Sequence, residues 1–232
     1  VGSEMCIRDK EVAEFQEPGG KMDHYASAIG GLVNIDFGNN STSVFPMNNP
    51  VDGCFLLFDS MEQKDTTRVL AESKLPTLRA LEQLQPYKIS SVRDFWQDQE
   101  KLKLLEHLEN FERQKLQANI NNYIILQDAK KLISNRFDNQ AFGRLLYEHH
   151  ENLRDGLGIS TPKIEQILDC AMQSGALGGK INGSGGGGCC YVYAVRGKAG
   201  TILEQVQKLG YPGKVIVPDS GVRLDKTEEV SQ

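Results

Sequence analysis

The stretch Gly178-Gly-Lys-Ile-Asn-Gly-Ser-Gly-Gly-Gly-Gly188 is the most unusual part of this sequence, because seven of its eleven residues are glycine. Glycine loses more backbone entropy on folding than any other residue, so an ordinary turn does not need this density. The stretch therefore predicts a loop whose backbone is approached closely, and the N–H groups of such loops bind phosphate oxygens. The alternative interpretation is a loop that only lets two chain segments pack closely.

The glycine-rich stretch differs from the two common phosphate-binding motifs. Three of its glycines satisfy the spacing of the dinucleotide motif, but that motif needs a strand before it and a helix after it. Here the pattern predicts a helix before the stretch and a strand from Cys189 to Val195 after it. The pair Gly179-Lys180 is followed by Ile181 rather than Ser or Thr, which excludes a P-loop.

The sequence on either side predicts an α+β protein, because helices and strands alternate too irregularly for a doubly wound sheet. The clearest helix begins at Thr161-Pro162, since proline suits the first helical position, and it ends at Gly175. The strands predicted at 32–37, 42–47 and 53–59 are expected to form an antiparallel meander. The other predicted elements are strands at 32–37, 42–47, 53–59, 189–195 and 214–217, a short helix ending at 29, a helical region from 76 to 153 with breaks near 86–91 and 135–139, and a helix at 199–209.

Composition narrows the function classes. The 232 residues are 39% hydrophobic and 25% charged, which is typical of a globular protein. The formal net charge of −5 gives no general attraction to polyphosphate backbones or anionic lipid, so we expect no nucleic-acid partner. No apolar run approaches the roughly 20 residues of a membrane-spanning helix, so we expect no membrane partner either.

The five cysteines predict neither a disulfide framework nor a zinc site, because their number is odd and no Cys-x-x-Cys pair occurs. This pattern favours free thiols in a reducing cytoplasm. The chain starts with Val1 rather than Met, and the segment Val1 to Asp9 has no recognisable periodicity or targeting pattern. We expect this segment to be non-native and the fold to start near Lys10.

Asp23 is the second candidate site residue. It follows the break at Gly19-Gly20 and falls in the first turn of the predicted short helix. The simple alternative is a carboxylate that complements the positive end of the helix dipole. The neighbouring His24 is expected to pack or cap, and the pair His149-His150 lacks the i, i+4 spacing of helical metal ligands.

These features together resemble the GHMP family of small-molecule kinases, and among its members the galactokinases most of all. The similarity extends over about Glu11 to Val217, and the ordered combination of segments is more specific than any one of them. The segments that carry it are Glu17-Pro-Gly-Gly-Lys-Met-Asp-His-Tyr-Ala-Ser27, Glu148-His149, Leu153-Arg154-Asp155, Ser160-Thr161-Pro162 and the Gly178 to Gly188 stretch.

The resemblance implies a fold and an activity. Residues 10–60 would be the end of the kinase N-terminal catalytic domain, and residues 61–232 a ferredoxin-like C-terminal α+β domain. The implied reaction is ATP-dependent, magnesium-requiring phosphorylation of the anomeric hydroxyl of a monosaccharide. A small-molecule sugar would be the substrate, and the sequence leaves monomer and homodimer open.

The resemblance also implies site residues. Asp23 corresponds to the catalytic base, and Glu11 matches the magnesium ligand by spacing, with Glu14 as the next nearest. A sugar-contacting loop is implied around Ser60 to Thr67. The nucleotide-binding motif corresponds to six residues: Gly183, Ser184, Gly185, Gly186, Gly187 and Gly188.

Two departures from the family pattern bear on function. The main ATP phosphate loop, of the type Pro-x-x-x-Gly-Leu-Ser-Ser-Ser, should precede Asp23, but the 22 residues there do not contain it. We therefore expect the chain to be truncated and inactive alone. The triplet Met22-Asp23-His24 replaces Met-Asp-Gln, which leaves mevalonate, arabinose, uronic acid and heptose phosphate kinases open, as well as a non-catalytic ligand-binding module.

Overall fold

The computed structural model describes residues 21–37 and 42–222, and these divide into two units. The described residues up to Pro50 and those from Val217 onward form the first unit, and Val51–Ile216 form the second. The expected non-native segment at 1–9 lies outside the described residues. The domain boundary expected between residues 60 and 61 stays a prediction.

The first unit contains one helix and a strand pair. They are α1 (Lys21–Ile29), β1 (Leu32–Phe37) and β2 (Thr42–Met47). The two strands are antiparallel, with Leu32 opposite Met47. Helix α1 confirms the predicted short helix and places Asp23 in its first turn. The helix ends where Gly30 and Gly31 take positive φ angles that side chains disfavour.

The second unit is built on a four-stranded sheet. Its strands are β3 (Cys54–Asp59), β4 (Gly178–Ile181), β5 (Cys189–Ala194) and β6 (Gly213–Ile216). Their order in the sheet is β4-β5-β3-β6, and every neighbouring pair is antiparallel. Helices connect β3 to β4 and β5 to β6, which gives the β-α-β-β-α-β arrangement of ferredoxin-like folds. The predicted α+β, ferredoxin-like class is confirmed.

The predicted three-stranded meander was wrong for its third strand. Strand β3 pairs with β5 and β6, about 135 and 160 residues further along the chain, and β2 pairs with β1. Cys54, Leu56 and Phe58 are buried, and the residues between them are half-buried. A strand that is apolar on both faces suits the middle of a sheet, so burial outweighed the preference for pairing with the nearest strand in sequence.

The glycine-rich stretch is also not a loop throughout. Its first four residues form β4, an edge strand of the sheet, so a strand and not a helix directly precedes the loop. Glycine suits this strand because the helix beside it comes very close: a Cβ on Gly178 would lie 1.8 Å from the carbonyl oxygen of Gly143. The remaining loop, Asn182 to Gly188, joins two antiparallel strands, so the dinucleotide motif stays excluded.

Helices account for most of the second unit. The predicted long helical region and its two breaks are confirmed, and so is the helix that begins at Pro162. The α-helices are α2 (Thr66–Val69), α3 (Leu75–Gln83), α4 (Arg93–Gln97), α5 (Asn110–Ser134), α6 (Asn139–Glu151), α7 (Pro162–Gln173) and α8 (Ala199–Lys208). π-Helical turns follow at Leu70–Lys74 and Asn152–Gly156, and 3-10 turns at Gln85–Tyr87, Gln99–His107 and Arg196–Lys198.

Two hydrophobic cores hold the described helices and the sheet of the second unit together. The larger core packs α7 and α8 against the sheet, with Ile164, Ile167 and Leu168 of α7 fully buried. The smaller core lies among the helices α3, α4 and α5, around Leu84 and Phe95. In the described part of the chain, no helix is both long enough and apolar enough to cross a membrane.

Candidate functional site

The glycine loop, Asn182 to Gly188, has a backbone that only glycine adopts readily. Gly183 and all four residues from Gly185 to Gly188 have φ angles between +72° and +119°. L side chains clash with the backbone in this region, at about 1–2 kcal/mol for each residue. The density of glycine in the sequence is therefore a conformational requirement of this loop.

The loop backbone also lies directly against other parts of the second unit. A Cβ on Gly185 would lie 2.7 Å from the carbonyl oxygen of Ile159, and one on Gly187 would lie 2.7 Å from that of Gln63. A Cβ on Gly186 would meet the side chain of Val69 at 2.9 Å. The sequence predicted that another group approaches the loop backbone closely. At these three glycines, that group is another part of the same chain.

Backbone hydrogen bonds fix the loop to these neighbours. The N–H of Gly186 donates to Ile159 O at 2.8 Å, and the N–H of Gly188 donates to Glu62 O at 2.9 Å. In the reverse direction, the N–H of Ser60 donates to Gly188 O at 3.0 Å and that of Asp65 to Gly186 O at 3.1 Å. The segment from Ser60 to Thr67, predicted to contact sugar, therefore supports the glycine loop through the backbone of Ser60, Glu62 and Asp65.

Four N–H groups of the loop take no part in these backbone hydrogen bonds. They belong to Gly183, Ser184, Gly185 and Gly187, and no acceptor among the described residues takes a hydrogen bond from them. Adjacent N–H groups on a backbone with left-handed residues form concave nests that bind anions. The loop is thus held by its neighbours and retains four N–H groups without an acceptor in the described part of the chain.

Two lysines place positive charge beside the loop. Lys64 is exposed, and its Nζ lies 3.1 Å from the position of a Cβ on Gly183. Lys180 precedes the loop in β4, and its Nζ donates to Ile181 O at 2.8 Å and lies 5.3 Å from the ring centroid of Tyr191. Burial lowers the pKa of Lys180 to about 8. Both ammonium groups add to the attraction of this end of the sheet for anions.

A polar cluster of half-buried side chains around the buried His150 lies next to the Ser160-Thr161 turn. Glu165 Oε1 is 3.0 Å from His150 Nε2 and accepts a hydrogen bond from the hydroxyl of Ser160, while its Oε2 accepts one from Arg154 at 3.2 Å. The His150 ring is fully buried, and its Nδ1 accepts the N–H of Ile181 at 3.4 Å. Nε2 therefore carries the proton that points to Glu165.

The charge of this cluster follows from its hydrogen bonds. Burial by itself raises the pKa of Glu165, but hydrogen bonds from His150, Ser160 and Arg154 outweigh burial and hold this pKa at about 2. Glu165 is therefore ionised at neutral pH. The cluster joins α6 and α7 to the Ser160-Thr161 turn, where the Thr161 hydroxyl also donates to Glu62.

The cluster around Glu165 is the part of the site that sequence reasoning missed. Arg154 and Ser160 come from segments that the sequence marked only as elements of a family pattern, and His150 was considered only as half of a pair without metal-ligand spacing. Glu165, in the first turn of α7, gave no signal beyond helix N-terminal charge. A histidine followed four residues later by an arginine on the same helical face was the available hint of a buried acidic partner.

The other predicted site residues fall elsewhere. Asp23 is exposed in the first unit, whereas the glycine loop belongs to the second; His24 next to it is buried. Glu11 and Glu14, predicted as alternative magnesium ligands, lie outside the described residues. Within residues 21–37 and 42–222, no group of three or more His, Cys, Asp or Glu side chains is placed to hold a metal ion. The magnesium site and the role of Asp23 stay predictions.

Comparison with known protein families identifies the region that contains the glycine loop. Residues 129–212 match the sequence model of the family described as GHMP kinases C terminal. This region of the chain is therefore similar to the C-terminal region of GHMP kinases. The match runs from the end of α5 to the residue before β6, so it includes the loop and the Glu165 cluster.

Curated relatives include kinases of two kinds. The mevalonate kinase of Thermococcus onnurineus is 34% identical over 106 residues, which are 44% of this chain and 31% of that protein. The galactokinase of Bos taurus is also 34% identical, over 74 residues, which are 32% of this chain and 19% of that protein. The chain thus spans about a third, or less, of the length of these relatives.

Solved structures share the fold. A Lactococcus lactis galactokinase complexed with galactose matches with a TM-score of 0.71 at 17% identity, over 92% of this chain and 57% of that one. The L. major mevalonate kinase in complex with R-mevalonate matches with a TM-score of 0.60 at 18% identity, over 85% of this chain and 51% of that one. The expected resemblance to GHMP kinases, galactokinases included, is confirmed, and mevalonate kinases match as well.

Proposed function

We propose that the complete protein to which this chain belongs transfers a phosphoryl group from ATP to a hydroxyl group of a small molecule, with the anomeric hydroxyl of a monosaccharide as the first candidate acceptor. The observation that carries this proposal is the set of four N–H donors in a glycine loop held by its own neighbours. The similarity of the region around this loop to the C-terminal region of GHMP kinases supports it.

The loop suits the phosphates of a nucleotide. The N–H groups of Gly183, Ser184, Gly185 and Gly187 would donate to phosphate oxygens, with Lys64 beside them. Because Ile159 and Glu62 already hold the loop backbone, binding would require little reorganisation of these donors. When bound, ATP supplies the phosphoryl group that is transferred.

Asp23 would act on the acceptor hydroxyl. Its exposed carboxylate lies in the first turn of α1, where a helix start holds it in a defined position. A carboxylate can accept the proton of the attacking hydroxyl, or orient that hydroxyl, in a reaction that depends mainly on positioning and charge stabilisation.

Mevalonate is the second candidate acceptor. Four matches to mevalonate kinases, at 31–34% identity, cover 103 to 113 residues and a fifth, at 41%, covers 73, whereas three matches to galactokinases cover 70 to 74. A proposal of a different class is a non-catalytic module that binds a ligand with the same loop. The acceptor assay described below distinguishes all three.

Nucleotide binding is tested first, on the purified chain, by calorimetric titration with ATP. Replacing the cation beside the loop, Lys64→Gln, should weaken binding roughly fivefold, because one charge contact contributes about 1 kcal/mol. Lys103→Gln is the matched control, since Lys103 is exposed and pairs only with Glu100. Equal affinity in both variants, or no binding to the wild-type chain, contradicts the assignment of the loop.

Activity is tested on the full-length protein with galactose and mevalonate as alternative acceptors. Asp23→Asn should lower turnover roughly 10²- to 10⁴-fold, as expected for loss of a general base. The 232-residue chain alone should phosphorylate neither compound, because the main phosphate loop is absent from its sequence. Full-length protein that binds ATP but phosphorylates no acceptor would favour the non-catalytic module.

A further inference from the structure

One side-chain hydrogen bond joins the two chain segments that hold the glycine loop. The first segment is residues 60–65, and the second is residues 159–161. The Thr161 hydroxyl donates to Glu62 Oε2, although the two residues are 99 positions apart in the sequence. We call this hydrogen bond the Glu62 link. Because it is a tertiary contact, it fixes the distance between the two segments.

Each of the two segments accepts a different N–H of the loop. Glu62 O accepts that of Gly188 at 2.9 Å, and Ile159 O accepts that of Gly186 at 2.8 Å. The N–H of Gly187 lies between these two anchored groups along the backbone and has no acceptor among the described residues. The orientation of this N–H therefore depends on the positions of both anchors, and the Glu62 link relates one anchor to the other.

Both ends of the Glu62 link have defined positions, and both side chains are half-buried. The N–H of Glu62 donates to the hydroxyl of the buried Ser60 at 3.3 Å. Thr161 is the N-cap of α7, and its Oγ1 accepts the N–H of Ile164 at 3.4 Å. Because their neighbours already order both side chains, the link loses less conformational entropy than an exposed pair of long side chains does.

We propose that Glu62 is a positioning residue for nucleotide binding. Through the Glu62 link it keeps the anchors of Gly186 and Gly188 at a fixed separation, so that the Gly187 N–H between them is held in place for a phosphate oxygen. Donors that are in place before binding need little reorganisation, which strengthens the binding of an anion. This role rests on the proposed function, and it differs from that of Lys64, which adds positive charge beside the loop.

The first test compares ATP binding by two variants of the purified chain, Glu62→Ala and Glu62→Gln. Both lack the carboxylate charge, so any general effect of that charge on the nucleotide is the same in both. The glutamine amide oxygen can still accept the Thr161 hydroxyl, whereas alanine cannot. In calorimetric titration, Glu62→Ala should bind ATP roughly tenfold more weakly than Glu62→Gln, as expected for one hydrogen bond. Glu112→Ala should bind as the wild type does, because the half-buried Glu112 pairs with Arg79 and not with the loop.

Thr161→Val tests the Glu62 link from its other end. The substitution also removes the N-cap of α7, so its effect on ATP binding is measured in both Glu62 variants. In the Glu62→Gln protein it should weaken binding further. In the Glu62→Ala protein, where the link is already absent, it should cause little additional loss. The same loss in both proteins would mean that Thr161 acts only on α7, which overturns the proposal.

Amide hydrogen exchange measures how firmly the loop is held when no nucleotide is present. The N–H groups of Gly186 and Gly188 should exchange roughly tenfold faster in Glu62→Ala than in Glu62→Gln, whereas exchange of the Val206 N–H, in the buried face of α8, should be unchanged. Equal acceleration at Val206 would indicate a general loss of stability. Unchanged exchange at both glycines would show that the link does not hold the loop. Either result overturns the proposal.

Together, the two measurements distinguish failure of the Glu62 role from failure of the proposed nucleotide site. A wild-type chain that does not bind ATP contradicts the proposed function and, with it, the nucleotide role of Glu62; exchange at Gly186 and Gly188 still decides whether Glu62 holds the loop. ATP binding that Lys64→Gln weakens, but that is equal in Glu62→Ala and Glu62→Gln, supports the nucleotide site and overturns the positioning role.

Discussion

Buried polar groups are arranged differently in two regions of the second unit. Around Glu165, both carboxylate oxygens accept hydrogen bonds, from Ser160 and Arg154, and Oε1 also lies 3.0 Å from His150. In the second region, on α5, Asn122 Oδ1 is buried with no partner in the described part of the chain. The two regions are adjacent in sequence, since Asn122 and His149 line one cavity between α5 and α6, and His150 belongs to the cluster.

The difference separates a region that supports the loop from one that contains an unsatisfied polar atom. The Glu165 cluster holds the turn after Ile159, whose carbonyl oxygen accepts the N–H of Gly186. Its polar groups satisfy one another, so we expect the cluster to affect the loop through the position of this turn. Asn122 Oδ1 has no partner among the described residues, and an unsatisfied buried acceptor lowers stability.

The largest expected effect is that of Glu165→Leu. The substitution leaves the buried His150 N–H and the Ser160 hydroxyl without their acceptor, and each such unsatisfied group costs about 1–3 kcal/mol, whereas Arg154 keeps its ion pair with Asp155. Urea unfolding measures the loss. Glu204→Leu removes an exposed pair with Lys208 and should leave the unfolding midpoint nearly unchanged. Similar midpoints for both variants would show that the cluster is not a supporting element.

The next largest effect concerns the stability lost when a glycine is replaced by alanine. It distinguishes the cost of close packing from the cost of backbone strain. Gly185 and Gly210 have similar φ angles, +83° and +91°, but a Cβ meets Ile159 only at Gly185 and has open space at Gly210. Gly210→Ala should cost about 1 kcal/mol from strain, and Gly185→Ala about 2–4 kcal/mol from strain and overpacking. Equal losses in thermal unfolding would mean that the loop can move away from Ile159.

The two regions should also differ in the pH range over which they affect stability. The pKa of Glu165 is held at about 2 in the folded state against 4.5 in the unfolded state, so its stabilisation is complete above pH 4.5 and lost as the pH falls towards 2. The pKa of His149 falls from 6.5 to about 4 on folding, so the unfolded state binds more protons between these values. Stability therefore decreases as the pH falls from 6.5 to 4.

Unfolding free energies of His149→Gln and Glu165→Gln, measured against pH, test this separation. The first variant should flatten the dependence between pH 4 and 6.5, and the second that below pH 4.5. A histidine variant that keeps the wild-type slope above pH 4.5 would show that His149 is not desolvated by the cavity.

The smallest expected effect is that of Asn122→Leu on stability. Because the substitution removes a buried acceptor without a partner and adds apolar contact, we expect a gain of about 1 kcal/mol in the free energy of unfolding. Differential scanning calorimetry in the absence of additives measures it. A clear loss of stability would indicate that the amide has a partner in solution, and the comparison between the two regions would then fail.

Much of the fold could be predicted from the sequence because it depends on local patterns. The Thr161-Pro162 start of α7, the strand Cys189–Ala194 and the breaks in the helical region follow from capping, side-chain alternation and turn residues. The partner of β3 could not be predicted in this way. Two-sided burial favoured a central position, but the choice of β5 and β6 depends on contacts far apart in sequence.

The candidate site shows the same division. The glycine content of Gly183 to Gly188 predicted a backbone under close approach, and positive φ angles there explain the glycines. The sequence could not tell whether a phosphate or the protein makes that approach. The structure shows that Ile159, Gln63 and Val69 make such an approach, while binding of a phosphate by the remaining N–H groups stays a prediction.

The sequence by itself determined that this chain forms an α+β structure with a strained glycine loop and a GHMP kinase pattern, because backbone conformation and apolar periodicity depend on neighbouring residues. Only the tertiary structure decided which groups meet. Glu165 gains its pKa of about 2 from His150 and Ser160, and Asn122 loses its access to water, through helix packing. Desolvation and hydrogen bonding depend on distances in space, which spacing along the chain does not give.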